Sequence, residues 1–242
     1  TESCIFIPPD EAINKQIKLE DWRSRLSSAL TEGNFTLAFY PVYAANGDCL
    51  HQEAPARLIL PDDSQLNAGV FMPYINRFGL GAALDVVVVK LALEKIAQSN
   101  QAVGVNLSSS ILNNAPEMQN MACLLQKNKK LTQYLWVEIP EYGVFQNMQG
   151  FRTLCQSLTP LDVKVGIEHV GQEILHLGEL HDLGLSFVKI DRSLIHAVDT
   201  ATSNQLILRG LCTIVHLIGL TCIAEGVETK QEWLMLKSLG VD

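Results

Sequence analysis

Four acidic or amide side chains lie in or at the end of separate short apolar segments of this 242-residue chain. They are Glu53, Asn106, Glu138 and Glu168, and their segments are rich in β-branched residues, which is typical of strands. Carboxylate and amide oxygens are the ligands that hard divalent cations prefer. If the strands converge, the pattern predicts a cation or phosphate site built from residues far apart along the chain.

These apolar segments alternate with amphipathic segments. The apolar ones comprise residues 50–59, 102–108, 134–141, 162–170, 187–191 and 221–226. Strands that alternate with helices at this spacing predict a β/α barrel, in which the carboxyl ends of the strands open onto one mouth. The alternation therefore predicts that the polar side chains face a shared cavity.

The helical segments have their own spacing signals. Apolar residues recur at helical spacing from Leu19 to Leu30, which predicts an amphipathic entry helix over residues 18–30. Further helices are predicted at residues 80–99, 116–129, 144–157, 174–183, 203–218 and 230–239. The entry helix precedes the first strand, so we expect it to lie outside the barrel.

The beginning of the sheet is predicted to be antiparallel. Residues 35–44 and 50–59 are both strand-like, and between them lies the pair Asn46 and Gly47, which is typical of a hairpin turn. A hairpin breaks the parallel pattern of a (β/α)8 barrel at its first strand. We therefore expect an α/β fold, a TIM-like barrel with an antiparallel opening strand.

Length and composition fit one domain. A chain of 242 residues with 48% hydrophobic content can bury a full core, and single β/α barrels commonly run to about 250 residues. We expect residues 18–242 to form the barrel with its entry helix. Residues 1–17, which contain adjacent prolines at Pro8 and Pro9, are predicted to be a linker segment from another domain.

The charge pattern favours a small ligand over a long nucleic acid. The net charge is -8 and the 18 Lys and Arg residues are dispersed, whereas a polyanion requires an extended basic face. The six cysteines show no Cys-x-x-Cys spacing, and no apolar run reaches the length of a membrane span. We expect reduced thiols in a cytoplasmic protein whose chain makes no membrane contact itself.

The ordered motifs carry a family resemblance. The motifs are HQEAPARL, GVNLSSS, WVEIPE, GIEHVG, FVKIDRSLI and IAEGVET. In this order they resemble the EAL domain family, the bacterial phosphodiesterases and receptors for cyclic di-GMP. The family would supply an eighth strand after Asp242, so we expect that strand to be missing here. The stretch FMPYINRFGLGAALD also resembles the LapD-type receptors, in which an EAL domain binds the nucleotide without cleaving it.

The resemblance implies a role for each matching residue. Glu53, Asn106, Glu138 and Glu168 match metal ligands, and Glu53 and Asn106 also face the nucleotide. Lys189 matches the lysine beside the attacking water, and Glu225 matches a glutamate of the metal and water shell that also contacts the ligand. Arg57 matches a phosphate-binding arginine, Tyr40 lies at a guanine-facing position, and Glu228 matches a glutamate that braces a loop. The family's enzymes hold two divalent ions, Mg²⁺ or Mn²⁺.

Several positions depart from the enzymes of the family. Where those enzymes have two consecutive aspartates, this chain has Glu168 and His169. Glu168 is longer by a methylene, and His169 replaces a bridging carboxylate with an imidazole, a softer ligand than Mg²⁺ prefers. Pro55 replaces a leucine, and Tyr40 replaces a glutamine, so that an aromatic ring could stack on a base instead. We expect the two-metal centre to be impaired.

Three functions are compatible with these residues. The first is a degenerate EAL domain that binds cyclic di-GMP without a cofactor and signals to other domains of a longer protein, as a monomer or a homodimer. The second is a weak phosphodiesterase that needs Mg²⁺ or Mn²⁺. The third is a protein-interaction scaffold that binds no nucleotide. Retention of Arg57, Glu225 and the general pocket beside loss of the paired aspartates favours the first. We expect it in the cytoplasm, or on the cytoplasmic side of an inner-membrane protein as in LapD-type receptors. Asn106 has a simpler alternative role, as a cap of the Ser-rich segment that follows it.

Overall fold

A mixed, curled sheet forms the centre of the computed structural model, which describes residues 19–242 apart from the side chains of Glu20, Ile174 and Leu175. The strands are β1 (Phe35–Leu37), β2 (Tyr40–Tyr43), β3 (Cys49–Glu53), β4 (Ala56–Ile59), β5 (Gln65–Asn67), β6 (Val103–Asn106), β7 (Leu135–Pro140), β8 (Lys164–Val170), β9 (Phe187–Ile190) and β10 (Thr221–Ala224). The central sheet has the order β10-β9-β8-β7-β6-β3-β2, and β1, β4 and β5 form a small sheet beside it. Within the described residues the central sheet therefore has seven strands.

Helices cover the outside of the central sheet. They are α1 (Leu19–Glu32), α2 (Ala68–Arg77), α3 (Gly81–Ser99), α4 (Ala115–Lys127), α5 (Glu141–Gln146), α6 (Met148–Leu158), α7 (Arg192–Ile195), α8 (Thr202–Leu217) and α9 (Lys230–Leu239). None of the helices within residues 19–242 is both long and apolar enough to cross a membrane.

The opening of the sheet is antiparallel, as the Asn-Gly turn predicts. β2 and β3 pair antiparallel around Gly47, whose φ of 94° suits a residue without a side chain, and β3 then pairs parallel with β6. The fold class, a TIM-like barrel with an antiparallel start, is thereby confirmed. Each predicted ten-residue strand is nevertheless broken in two, and Pro55 lies in the second break because it cannot donate to a ladder.

The core lies between the sheet and its helices. Apolar side chains of the strands, such as Val105, Val137 and Ile167, are fully buried. The entry helix α1 docks on this body through Trp22, which is buried and stacks on Tyr74 of α2 with ring centroids 4.5 Å apart. The predicted helix over residues 18–30 is thus confirmed for its described part, while the predicted linker over residues 1–17 lies outside the described residues.

Two of the predicted helices differ from the structure. Residues 144–157 do not form one helix, because Asn147 separates α5 from α6 and its side-chain oxygen accepts a hydrogen bond from the Gly150 amide at 2.8 Å. The segment after β8, predicted as a helix over residues 174–183, forms 3-10 turns over Ile174–Leu180. The remaining predicted helices appear within one or two residues of their expected ends.

Candidate functional site

A buried lysine lies between two carboxylates at the mouth of the sheet. Lys189 of β9 places its Nζ 2.6 Å from Oε2 of Glu138 on β7 and 3.1 Å from Oε2 of Glu53 on β3. Burial lowers the pKa of Lys189, but the two carboxylates outweigh it and hold the pKa above its ordinary value. The lysine is therefore a fixed cation that ties three strands together.

Glu138 has a second neighbour, His51 of β3. The His51 Nε2 atom lies 3.6 Å from Oε1 of Glu138, and neither side chain is exposed. The imidazole also stacks on Trp136 with ring centroids 4.4 Å apart. The distance to His51 is too long for a hydrogen bond, so the ion pair with Lys189 is the close contact of this carboxylate.

The side chains of Asn106 and Glu168 contact each other at the same mouth of the sheet. Asn106 ends β6, and its Nδ2 donates a hydrogen bond of 2.7 Å to Oε2 of Glu168 on β8. The side chain therefore faces the site and does not cap the Ser-rich segment. Glu168 is buried, and burial, followed by the nearby charge of Glu138, raises its pKa to about 8.

His169 lies beside Glu168 at an irregular point of β8. Its φ is 57°, and the register of the ladder between β8 and β9 shifts over Ile167 to Val170. The imidazole Nδ1 lies 2.8 Å from Oε2 of Glu225, and Asp191 is 3.6 Å away. The hydrogen bond to Glu225, which outweighs the opposing effect of burial, raises the pKa of His169 to about 9.

These groups surround one cavity of about 530 Å³. Its lining includes six of the residues singled out in the sequence: Glu53, Asn106, Glu168, His169, Lys189 and Glu225. The structure therefore brings these predicted site residues together, with Glu138 directly behind Lys189. The wall formed by β10 and α9 adds Trp233, which is 43% exposed and offers an aromatic surface.

The donor set fits one divalent cation better than a pair of magnesium ions. Glu168, His169 and Glu225 each offer a ligand atom, and these atoms lie within 4.8 Å of one another. Glu138, which matches a metal ligand of the family, is held by Lys189. An imidazole with two carboxylates suits a borderline transition metal more than Mg²⁺, which favours oxygen ligands. The arrangement as it stands does not match a two-magnesium centre.

Three other predicted residues lie away from this acidic cluster. Arg57 on β4 donates through Nη2 to the Tyr40 hydroxyl at 3.1 Å and through Nη1 to the Ala56 carbonyl at 3.0 Å. Tyr40 is 54% exposed, and its backbone pairs across the hairpin with Glu53, which lines the cavity. Glu228 forms an exposed ion pair with Arg192.

Sequence reasoning missed the carboxylate that holds the loop after β8. Glu141, at the start of α5, is buried and accepts hydrogen bonds of 3.0–3.1 Å from the amides of Gly171, Gln172 and Glu173. Glu141 therefore braces the loop after β8. The available signal was its place three residues after Glu138, directly after the proline that ends β7.

A second missed carboxylate holds the loop after β10. Glu232 of α9 is buried and accepts hydrogen bonds from the amides of Ala197, Glu228 and Thr229. Thr229 and Glu232 form a capping box, a spacing that is visible in the sequence as Thr-x-x-Glu. The loop that follows Glu225 is therefore fixed by its own helix.

Comparison with known proteins establishes the family. Residues 23–242 match the model of the EAL domain, so the chain belongs to the EAL domain family. EAL domains are cyclic di-GMP phosphodiesterases or cyclic di-GMP receptors, and the phosphodiesterases use Mg²⁺ or Mn²⁺.

Two curated relatives come from Escherichia coli (strain K12). The chain is 24% identical to the cyclic di-GMP phosphodiesterase PdeF over 224 residues. The aligned segment covers 90% of this chain and 30% of PdeF. The chain is 23% identical to the RNase E specificity factor CsrD over 225 residues. That aligned segment covers 91% of this chain and 34% of CsrD. The chain thus spans about a third of the length of these relatives.

Solved structures share the fold. The FimX EAL domain of Xanthomonas citri in complex with cyclic di-GMP has a TM-score of 0.85 at 22% identity, over 96% of this chain and 92% of that one. The LapD S helix-GGDEF-EAL structure of Vibrio cholerae, in its apo form, has a TM-score of 0.84 at 17% identity, over 93% of this chain and 55% of that one. The FimX EAL domain of Pseudomonas aeruginosa bound to cyclic di-GMP has a TM-score of 0.83 at 25% identity, over 91% of both.

Proposed function

We propose that this chain is a cyclic di-GMP receptor domain whose hydrolytic activity is absent or very slow. The observation that carries the proposal is the contact between His169 and Glu225, with Nδ1 and Oε2 2.8 Å apart. This imidazole occupies a position where the family's enzymes have a metal-bridging aspartate. The proposal therefore separates the binding of the nucleotide from the chemistry of its cleavage.

Binding without metal is supported by two cations of the protein. Lys189 is a buried cation that lines the cavity, and Arg57 is hydrogen-bonded to Tyr40, which pairs across the hairpin with the cavity-lining Glu53. Cations of this kind pair with phosphate oxygens without a bridging ion, and the exposed rings of Tyr40 and Trp233 offer stacking surfaces for bases. We expect no cofactor to be needed for binding, and Mg²⁺ or Mn²⁺ to matter only for residual hydrolysis.

The output of the receptor would pass to other domains of a longer cytoplasmic protein. α1 is a peripheral helix held by Trp22 and Leu26, and it connects the barrel to the residues before it. A closely packed barrel does not deform smoothly, so a signal is carried better by a shift of a docked element. Whether that parent protein sits at the inner membrane does not affect this route.

A second candidate function is a weak phosphodiesterase. It is favoured by the convergence of Glu53, Glu138 and Lys189, three groups that the enzymes of the family also use. Within residues 19–242, no specific contact favours a third candidate, a scaffold that binds no nucleotide. The three make different predictions for binding and cleavage.

Calorimetric titration with cyclic di-GMP, with and without EDTA, tests the proposal. Binding that survives EDTA, together with no linear dinucleotide after incubation with Mg²⁺ or Mn²⁺, is the expected result. Binding that EDTA abolishes would contradict the metal-free receptor, and appreciable turnover would select the phosphodiesterase. If no heat of binding is measured with or without EDTA, the scaffold that binds no nucleotide is the remaining candidate function.

A further inference from the structure

Two buried cysteine thiols contact each other behind one wall of the cavity. The Sγ atoms of Cys212 on α8 and Cys222 on β10 lie 3.6 Å apart, and both cysteines are free. The two residues are 2% and 0% exposed. Ile223 and Glu225, which follow Cys222 along the chain, line the cavity. The contact therefore lies between an outer helix and the strand that leads to the site.

A short turn brings the two sulfur atoms together. α8 ends at Leu217 and β10 begins at Thr221, and Gly219 between them has a φ of 79°, which suits a residue without a side chain. Cys212 belongs to the buried face of α8, which packs on β10. Because a disulfide bond is about 2.05 Å long, sulfur atoms that are 3.6 Å apart have to approach by about 1.5 Å to form one. Rotation of the two side chains with a small backbone shift supplies a movement of this size.

The two thiols have different environments. The hydrogen bond with Cys222 lowers the pKa of Cys212 against the effect of burial, and His216, one helical turn further along α8, adds to this lowering. The same contact and burial raise the pKa of Cys222. A single buried thiol is normally inert, whereas a thiol with a lowered pKa is the usual attacking group in oxidation. Cys212 is therefore the better nucleophile of the two.

Polar residues cover the cysteine pair on one side. Among the described residues, the His216 side chain is 42% exposed, and its Nε2 lies 2.8 Å from Oδ2 of Asp242. The same Asp242 oxygen accepts a hydrogen bond of 2.8 Å from the Cys222 amide. A Cβ atom added at Gly240 would lie 3.7 Å from Cβ of Cys212. An oxidant that passes this layer has to be small, which hydrogen peroxide is.

We propose that Cys212 and Cys222 form a reversible thiol–disulfide pair that hydrogen peroxide oxidises. The Cys212 thiolate attacks one peroxide oxygen, the O–O bond breaks, and hydroxide leaves, so that Cys212 becomes a sulfenic acid. The Cys222 sulfur then attacks the Cys212 sulfur, the S–O bond breaks, and the hydroxyl group leaves with the Cys222 proton as water. Two thiols are thereby oxidised to a disulfide, and one peroxide is reduced to two waters. A dithiol reductant reverses the change.

The bond would join α8 covalently to β10. A disulfide restricts the opening of the segment that it closes, and cytosolic disulfides are usually transient and redox-sensing. Amide hydrogen exchange of residues 213–224 should therefore slow by roughly tenfold or more on oxidation, whereas exchange of α4 should not change. Unchanged exchange of residues 213–224 in a chain that carries the disulfide would overturn this link between helix and strand.

Peptide mass spectrometry of the unmodified chain is the direct test. Trypsin cleaves after Arg209 and Lys230, so both cysteines fall in one peptide, residues 210–230. After treatment with hydrogen peroxide, denaturation and alkylation, this peptide should lack the mass of two hydrogen atoms and carry no alkyl group. Dithiothreitol should restore both alkylation sites. A peptide that stays reduced, or that reaches sulfinic acid without a disulfide, overturns the proposal.

Three variants test the roles of the cysteines. Cys212→Ala should abolish the disulfide, whereas Cys155→Ala, the matched control at another buried cysteine, should leave it unchanged. In Cys222→Ala the sulfenic acid at Cys212 has no resolving thiol, so dimedone should label Cys212. Absence of that label in a variant that circular dichroism shows to be folded overturns the role of Cys212. None of these measurements uses the nucleotide, so their outcome does not depend on the proposed receptor function.

Discussion

Lys189 and Glu138 form a buried ion pair, with Nζ 2.6 Å from Oε2 and side chains that are 3% and 0% exposed. Removal of one member leaves the other charge buried and uncompensated, which typically costs about 3–5 kcal/mol. We expect Glu138→Gln to lower the free energy of unfolding by about 3 kcal/mol, less if Glu53 takes over part of the pairing. Urea denaturation followed by circular dichroism measures this loss.

The matched control for this pair removes both charges. Glu138→Leu combined with Lys189→Met leaves no buried ion, and buried ion pairs replaced by apolar groups are often nearly neutral in stability. We expect the double variant to recover most of the loss seen in Glu138→Gln. A double variant that is less stable than the single one would show that the pair contributes net stability.

Arg57 is predicted to bind a phosphate of the nucleotide. A hydrogen bond to a charged group contributes about 1.5–3 kcal/mol, so Arg57→Ala should weaken cyclic di-GMP binding by that amount. The matched control is Arg152→Ala, because Arg152 is partly exposed and pairs with Asp182. Calorimetry of both variants decides the question: equal affinities of Arg57→Ala and the unmodified chain would remove Arg57 from the ligand site.

Restoration of the two aspartates should restore metal binding. Glu168→Asp with His169→Asp replaces the imidazole beside Glu225 with a carboxylate, and hard ligands favour Mg²⁺. We expect tighter Mg²⁺ binding by calorimetry and faster formation of linear dinucleotide, where each factor of ten corresponds to about 1.4 kcal/mol at the transition state. His169→Asn, which adds no negative charge, is the control. Fast hydrolysis by the unmodified chain would contradict the underlying proposal.

Asp85 should make stability depend on pH. It is buried and bound to the Ser108 amide and hydroxyl at 2.9 and 2.7 Å, and burial raises its pKa to about 7 from an ordinary value of 3.8. Between these two pKa values the Asp85 carboxyl is protonated in the folded state and ionised in the unfolded state. Its contribution therefore lowers the free energy of unfolding as pH rises from about 4 to 7. Asp85→Asn should remove this dependence.

At pH 8 the free energy of unfolding of the Asp85→Asn variant should be about 1–3 kcal/mol higher than that of the unmodified chain, because the variant has no buried carboxylate that must ionise. Urea denaturation at pH 5 and pH 8 measures the difference, with Asp182→Asn as a surface control. An identical pH dependence in Asp85→Asn and the unmodified chain would show that Asp85 is not its source.

Strand-end chemistry could be predicted from the sequence, whereas contacts made by loops could not. Glu53, Asn106 and Glu168 were predicted to converge because side chains at the carboxyl ends of strands face one mouth, and all three line the cavity. Glu141 was missed because its three backbone partners belong to an irregular loop whose path has no periodic signal. The contact between His169 and Glu225 depends in the same way on a local irregularity in β8.

The break at Asn147 shows the same limit for helices. The apolar pattern over residues 144–157 continues across it, so periodicity predicts one helix. A side chain that bonds its own backbone interrupts the helix there. Periodicity reports which face is buried, and it does not report a local competitor for backbone hydrogen bonds.

The left-handed backbone at His169 also limits how this site can evolve. At a φ of 57°, glycine, asparagine and aspartate are favoured, and β-branched residues are strongly disfavoured. The backbone conformation therefore restricts which residue types are tolerated at this position, whatever the chemistry of their side chains. Few residue types suit this backbone, and among them aspartate fits at least as well as the present histidine. Replacement of His169 by a carboxylate would therefore meet no conformational barrier.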